Sequence, residues 1–371
     1  MLAVPSMVLA QTTTQAATTD TVTFEKAQVT QVLSAEVKRI PGTETAENYQ
    51  TLTALVLEGP AAGKTITIDN DYLALRVGDF FYARHEVNTL DGTDYWSMGE
   101  PYRLPVLGIL AGLFLACVLV FGGKQGLRGL LSLGASIFFI AYLLLPGILN
   151  GYNPIFVSMG VASLIIIAGS YITHGFNRTT TAAVLGMLAA IFITGALSWW
   201  AIYAGHFSGY TSEEVAYLNF DTQGSINFIG LLLGSLMIGL LGVLYDAAIS
   251  QSIAVEELLH VSGHTLTRRA LYLRGLRIGR EHIGALVNTL AIAYVGASLP
   301  LLLLFELTNT QPLSVTVNQE LFATELVRMM VGSIGLVLAV PLTTLVSVWM
   351  LHGKKLAPRQ EGEGHTHGHA H

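Results

Sequence analysis

Three oxygen-bearing side chains, Asp246, Ser250 and Glu257, recur along one stretch of the sequence, Gly242-Val-Leu-Tyr-Asp-Ala-Ala-Ile-Ser-Gln-Ser-Ile-Ala-Val-Glu-Glu-Leu258. If the stretch is helical, a turn of about 100° per residue brings Asp246, Ser250, Ile253 and Glu257 within about 60° of one another, and His260 extends the face. Ile253 interrupts the row, so it is not an unbroken line of ligands. Carboxylate and hydroxyl oxygens suit a hard cation or a proton relay. The plainer reading makes Asp246 an orienting group at a helix end and the rest a solvated amphipathic helix. An aspartate near the C-terminal end of a span opposes the helix dipole, which favours a functional or paired carboxylate. The small residues Ala247, Ala248, Ser250, Ser252 and Ala254 would let a second helix pack closely.

A second polar pair, Asn288 and Thr289, follows Gly279-Arg-Glu-His-Ile-Gly-Ala-Leu-Val. A buried amide without partners costs a few kcal/mol. Asn288 could therefore pair with Asp246, line a pathway, or make ordinary interhelical hydrogen bonds. Glu325 and Arg328, three apart, are expected to pair with each other. The tail carries His365, His367, His369 and His371, a weak ligand set for Zn²⁺, Ni²⁺ or Cu²⁺ or simply a His-rich tail. No cofactor is expected beyond that. No P-loop, G-x-S-x-G or H-E-x-x-H is present. ATP-driven transport by this chain alone is thereby excluded. As acid/base groups for an intramembrane enzyme only Asp246, Glu257, His260 and His282 stand out, without a nucleophile motif, so the chain is read as a non-enzyme.

These residues must be positioned by membrane helices. Of 371 residues 52% are hydrophobic and 12% charged, half the charge of an ordinary soluble domain, about 25%; the mean hydropathy is +0.55. Apolar runs near the ~20 residues that cross a bilayer occupy Leu104–Phe121, Leu130–Leu149, Ile155–Ile172, Thr181–Tyr203, Ile226–Tyr245, Ile283–Phe305 and Val327–Leu351. The expectation is about seven spans within a membrane domain, 104–352. Gly296, Ser298 and Pro300 would permit a kink in the sixth, and Pro341 lies inside the seventh. Loops after the odd segments hold Lys124 and Arg128; Arg178; Arg268, Arg269, Arg274, Arg277 and Arg280; then Lys354, Lys355 and Arg359. Loops after the even segments hold no Lys or Arg, and one carries Glu213, Glu214 and Asp221. The positive-inside rule puts the N-terminal domain outside and the C-terminus in the cytoplasm. Arg178 reads as a topology or headgroup contact.

Residues 22–100 alternate apolar and polar in short runs, as in Thr51-Leu-Thr-Ala-Leu-Val-Leu57, with Glu58-Gly-Pro-Ala-Ala-Gly63 and Asp69-Asn-Asp71 as turns. About five strands of this kind suit an extracytoplasmic all-β domain, a small barrel of OB or SH3-like type. Before it, 1–21 reads as a signal-like segment and linker: Met1–Ala10 is apolar and ends in a small-residue pattern but lacks a basic n-region, the alternative being an uncleaved stub. Residues 353–371 form the cytoplasmic His-rich tail. Cys117, the single cysteine, sits in an apolar run and rules out an intrachain disulfide. A net charge of −6 gives no sign of nucleic-acid binding.

Four stretches resemble the YibE/F-like family of bacterial multi-pass membrane proteins: Leu145-Pro-Gly-Ile-Leu-Asn-Gly-Tyr-Asn-Pro154; Thr173-His-Gly-Phe-Asn-Arg178; Tyr245-Asp-Ala-Ala-Ile-Ser-Gln-Ser252 with Glu256-Glu-Leu258; and Glu281-His-Ile-Gly-Ala-Leu-Val-Asn-Thr289 with Tyr294-Val-Gly-Ala-Ser-Leu-Pro300. The resemblance implies a multi-span protein of the bacterial cytoplasmic membrane preceded by a small outer domain, and no established activity. Two functional expectations follow from the residues. One is a secondary transporter or permease of a small ion or solute, with its site at Asp246, Ser250, Glu257 and Asn288 where segments five and six meet. The other is a non-transporting accessory or sensor whose outer domain binds a protein partner.

Overall fold

Strands form where the sequence alternates, and each buries one face. The computed structural model describes residues 21–39, 46–88, 93–263, 265–307 and 312–353; the signal-like segment and the His-rich tail expected from sequence lie outside them. Strands β1 (Thr21–Arg39), β2 (Ala46–Val56), β3 (Thr65–Asn70), β4 (Phe80–Val87) and β5 (Asp94–Pro101) make one antiparallel sheet in the order β3-β2-β1-β4-β5. Ala27, Val29, Leu52, Ala54, Val56, Ile66, Ile68, Phe81 and Ala83 supply its core, as period-2 burial requires. Irregularities between Val29 and Gln31 and between Val32 and Ser34 bend the long β1. The curl brings the two edges together: Lys64, just before β3, contacts Asp94 at the start of β5, 3.0 Å apart. The result is a half-barrel.

Among the described residues the helices follow without a second sheet. They are α1 (Leu104–Phe139), α2 (Leu145–Leu149), α3 (Pro154–His174), α4 (Arg178–Ala204), α5 (Glu213–Asp221), α6 (Phe228–Val261), α7 (Arg268–Ala297), α8 (Leu299–Leu307), α9 (Leu313–Asn318) and α10 (Glu320–Leu351). A π-helical turn, Ile140–Leu144, joins α1 to α2. By length and composition five helical runs can cross a membrane: 104–149, α3, α4, α6 and α10; the pair α7 and α8, bent by 62°, counts as a sixth. The chain divides into two units between Cys117 and Val118.

Three local expectations change. The first two apolar segments are not separated by a loop but by a single non-helical residue, Gly123, at φ 51° and ψ −134°, a conformation open only to glycine. A methyl group on Gly126 would strike the Val118 carbonyl, although a straight helix would hold these residues about 12 Å apart, so the chain folds back there. Second, the arginine-rich segment Arg268–Arg280 is not a loop but the first half of α7. Its buried positions, Leu271, Gly275 and Gly279, recur every four residues, leaving the arginines on the other faces; Thr267 caps it by accepting from the Ala270 amide at 3.3 Å. Third, α6 runs sixteen residues past its expected end at Tyr245, which makes the Asp246–Glu257 stretch helical. The kink expected at Gly296, Ser298 and Pro300 is present as the α7–α8 bend.

Apolar helices in lipid gain nothing from hiding greasy surface from one another, so close backbone approach through small residues holds them together. At the centre α4 and α10 pack antiparallel with a reciprocal fit. Gly186 of α4 receives Thr343 of α10, and Gly335 of α10 receives Thr194 of α4. A Cβ on Gly186 would come within 2.7 Å of the Thr343 Cα. The other helices use the same device. Gly234 of α6 lies against Ser158 of α3, and Gly275 and Gly279 of α7 lie against Thr344 and Val340 of α10 and against Gln251 of α6. Replacing Gly186 or Gly335 by Ala should therefore destabilise the helical unit by about 1–3 kcal/mol, read as a lower melting temperature in detergent, whereas Gly242→Ala, where nothing lies within 4 Å, should leave it unchanged.

Candidate functional site

The polar face of α6 exists as the spacing requires: Asp246, Ser250, Ile253, Glu257 and His260 are all exposed. It does not form one site. Asp246 and Ser250 open into a cavity of about 190 Å³ between α6 and α7, lined also by Ala247, Gln251, Gly279, His282 and Val340. Glu257 lies about 16 Å further along the axis. It lines a separate cavity of about 390 Å³ with Glu256, His260, His174, Asn177 and Thr180. That second cavity is shaped by the turn after α3, where Gly175 (φ 74°) ends the helix. Asn177 starts α4 by accepting from the Thr180 amide at 2.7 Å and donating to the His174 carbonyl at 3.0 Å. Asn288 joins neither cavity. It is exposed and points about 150° around the α7 axis from the line of Gly275, Gly279, His282 and Leu286 that faces α6 and α10. Thr289 bonds its own helix, at the Ala285 carbonyl, 2.9 Å. His282 is what α7 brings to Asp246 instead.

Behind the groove lies a buried network. Gln251 is 3% exposed and donates both to the Gly275 carbonyl of α7 at 2.8 Å and to the Thr344 hydroxyl of α10 at 2.7 Å. Thr344 donates in turn to Val340 at 2.7 Å. Ser347 of α10 donates to Ser252 at 3.0 Å, and Ser252 donates to the Thr179 carbonyl of α4 at 2.8 Å. One turn of α6, Gln251-Ser252, thus clamps α4, α7 and α10. Sequence reasoning passed over Gln251. The signal was available, as an amide sharing a helix face with Ala247, Ala248, Ala254 and Val255, one step off the polar face. At the other end of α10, Glu325 pairs with Arg328 at 3.6 Å and accepts from Ser298 at 3.1 Å. The Glu325–Arg328 pair expected from sequence is therefore present, and it also braces the α7–α8 bend.

The β unit holds a second polar cluster. The Glu25 carboxylate is buried and accepts from the Ala61 amide at 2.9 Å. His85 lies between it and Asp94, with Nδ1 3.5 Å from Glu25 and Nε2 3.4 Å from Asp94, and its ring stacks on Trp96 at 3.9 Å. The hydrogen bond from Lys64, and after it His85, holds the Asp94 carboxyl below its ordinary range. Among the described residues no group of three His, Cys, Asp or Glu side chains has the geometry to hold a metal; the four tail histidines lie outside them.

A model of the family described as YibE/F-like protein matches residues 110–353. No curated protein and no solved structure matches the chain.

Two predictions follow from these contacts. Gln251→Leu leaves the Gly275 carbonyl and Thr344 without their shared donor, and should cost about 1–3 kcal/mol in a thermal or denaturant melt, while Ser250→Ala in the open groove should cost little. A lowered Asp94 pKa stabilises above the ordinary aspartate value, about 3.9, and that contribution fades as pH falls through the folded value. Hydrogen exchange of 94–101 should accordingly be faster in Asp94→Asn than in the parent at neutral pH, with the difference closing below about pH 4.

Proposed function

The chain belongs to the YibE/F-like family and is a membrane protein; from that premise we propose that it is a secondary transporter or permease for protons or a small cation. The observation that carries the reading is the α6–α7 groove, where Asp246, Ser250 and His282 meet around one cavity in front of the Gln251 clamp. A carboxylate along a membrane helix is expensive unless it faces water or a partner. Here it faces a cavity with a hydroxyl and an imidazole, groups that can pass a proton or coordinate a hard cation. Glu257 and His260, three turns further on, would serve as the inner mouth of the pathway. Asn288 falls outside this proposed site. No enzymatic step and no cofactor is part of the proposal.

The proposed topology has seven crossings in the bacterial cytoplasmic membrane. A 46-residue run, Leu104–Leu149, is about 69 Å long as helix, more than twice the ~30 Å hydrocarbon core, and the Gly123 break supports reading it as two crossings. Lys124 and Arg128 beside that break, Arg178, and the arginines of α7 then fall on the cytoplasmic side, with Glu213, Glu214 and Asp221 outside. The outer half-barrel reads as an OB-type domain, since β1 is central and β3 and β5 meet through Lys64 and Asp94. A sensor or accessory role for that domain, with a protein partner, is the second reading. The cluster at Glu25, His85 and Asp94 favours it, as a permease alone has no need of such a cluster.

In proteoliposomes with an imposed membrane potential, the parent should carry a proton or monovalent cation flux, read by a pH-sensitive dye inside. Asp246→Asn should reduce it tenfold or more. An unchanged flux in correctly inserted Asp246→Asn removes the site, and an absent flux in the parent turns the reading to the sensor.

A further inference from the structure

The loop between β3 and β4, with the first residue of β4, carries a run of exposed apolar side chains. Tyr72 is 60%, Leu73 49%, Val77 63% and Phe80 39% exposed. Isolated exposed apolar residues are ordinary. Four within nine residues, gathered at one end of the domain, form a patch that a soluble surface avoids.

That end is the one from which the first apolar helix leaves. Arg103 immediately precedes Leu104, the first residue of α1. Its guanidinium donates to Glu100 at 2.8 Å, with the Tyr72 side chain beside it. The Tyr102 amide donates to the Phe80 carbonyl at 3.0 Å, and the Tyr102 ring packs edge-on against Phe80 and Tyr82 with centroids 6.3 Å and 5.5 Å apart. The Lys26 ammonium sits over the Tyr102 ring at 4.3 Å. The patch is therefore tied by a backbone hydrogen bond and a ring contact at Phe80, with Tyr72 beside Arg103, to the two residues at which the chain enters the apolar helix. From Leu104 that helix is exposed and apolar. A headgroup layer is about 5–8 Å thick on each side of the hydrocarbon, so groups in contact with Arg103 and Tyr102 lie at its depth. Tyrosines mixed with basic residues whose aliphatic stems lie along apolar surface are the composition that this layer selects.

We propose that the β3–β4 loop, with Tyr72, Leu73, Val77 and Phe80, is a lipid-docking surface that rests in the headgroup layer beside the first span. The half-barrel is then held by two attachments, the covalent one at Arg103–Leu104 and this one, rather than swinging on a single residue. Neither depends on whether the helices transport anything.

Nitroxide depth measurements on the full chain in liposomes test this. The probes are the native Cys117 inside α1 and, in a Cys117→Ser background, Val77→Cys or Tyr95→Cys. Tyr95 is equally exposed (65%) but lies at the far end of β5 from Pro101, about 20 Å up the strand. Molecular oxygen, which concentrates in lipid, should relax the Cys117 label most. The Val77 label should be at least threefold less accessible to a water-soluble nickel chelate than the Tyr95 label, at every protein-to-lipid ratio. Equal chelate access at Val77 and Tyr95 would overturn the proposal. So would protection at Val77 that disappears on dilution into excess lipid, which would identify a second copy of the chain as the covering surface.

Discussion

Inside a bilayer two ordinary sources of stability are missing. Water is absent, so no unpaired backbone group can be left to it, and lipid is as apolar as leucine, so burying leucine gains little. What remains is contact at close range. The fit between α4 and α10, glycine receiving threonine in both directions at Gly186–Thr343 and Gly335–Thr194, is that contact in its most direct form. Everything else in the helical unit is arranged around it. α6 lies against both helices and contributes much of the central core, Met237, Leu240, Leu241 and Leu244. α7 approaches α6 and α10 through its own Gly275 and Gly279, and α3 approaches α6 where Gly234 of α6 receives Ser158.

Close packing also decides where polar groups can go. Side chains that point between helices have to satisfy one another, and Gln251, Ser252, Thr344 and Ser347 do so across four helices. A clamp of this kind costs several kcal/mol if half-made, so it favours one arrangement of helices over near alternatives. Asp246 and Ser250 are on the same helix and only a turn away, yet their environment is opposite: they face an open groove with His282. The two sets divide the work. The buried one holds α7 in register with α6 and α10, and that register determines which α7 residue meets Asp246. A rotation of α7 by half a turn would turn His282 away from Asp246 and place arginines such as Arg277 where Gly275 and Gly279 now sit.

That rotation is also why the site was only half legible in the sequence. The α7–α8 kink at Ser298 and Pro300, the Glu325–Arg328 pair and the shared face of Asp246, Ser250 and Glu257 all follow from spacing along one helix, which a sequence states directly. Which face of α7 meets α6 does not. It depends on Leu271, Gly275 and Gly279, whose four-residue recurrence was hidden among five arginines that read as a charged loop. Gln251 was missed for the related reason that its partners, Gly275 and Thr344, are far away in sequence. The Gly123 break was read as a longer loop because Lys124 and Arg128 interrupt the apolar pattern, while a glycine in the mirror-image β region needs only one residue to stop a helix.

The same physics separates the first half of α1, Leu104–Cys117, from the other helices. It is exposed throughout and carries Leu, Val, Ile and Phe on every side, with Gly108 and Gly112 meeting nothing within 4 Å. A helix of this composition is specified by its solvent rather than by protein partners: lipid fixes its depth, and neither its rotation nor its tilt is set by side-chain fit. The half-barrel continues directly into that helix through Pro101, Tyr102 and Arg103, within one unit. Its orientation therefore has to come from something other than a close-packed helix. An apolar rim fixed to Arg103 and Tyr102 supplies such a constraint at the one depth where tyrosine and arginine are both well solvated. A helix with loose rotation and a domain with a fixed depth are thus compatible parts of one anchor.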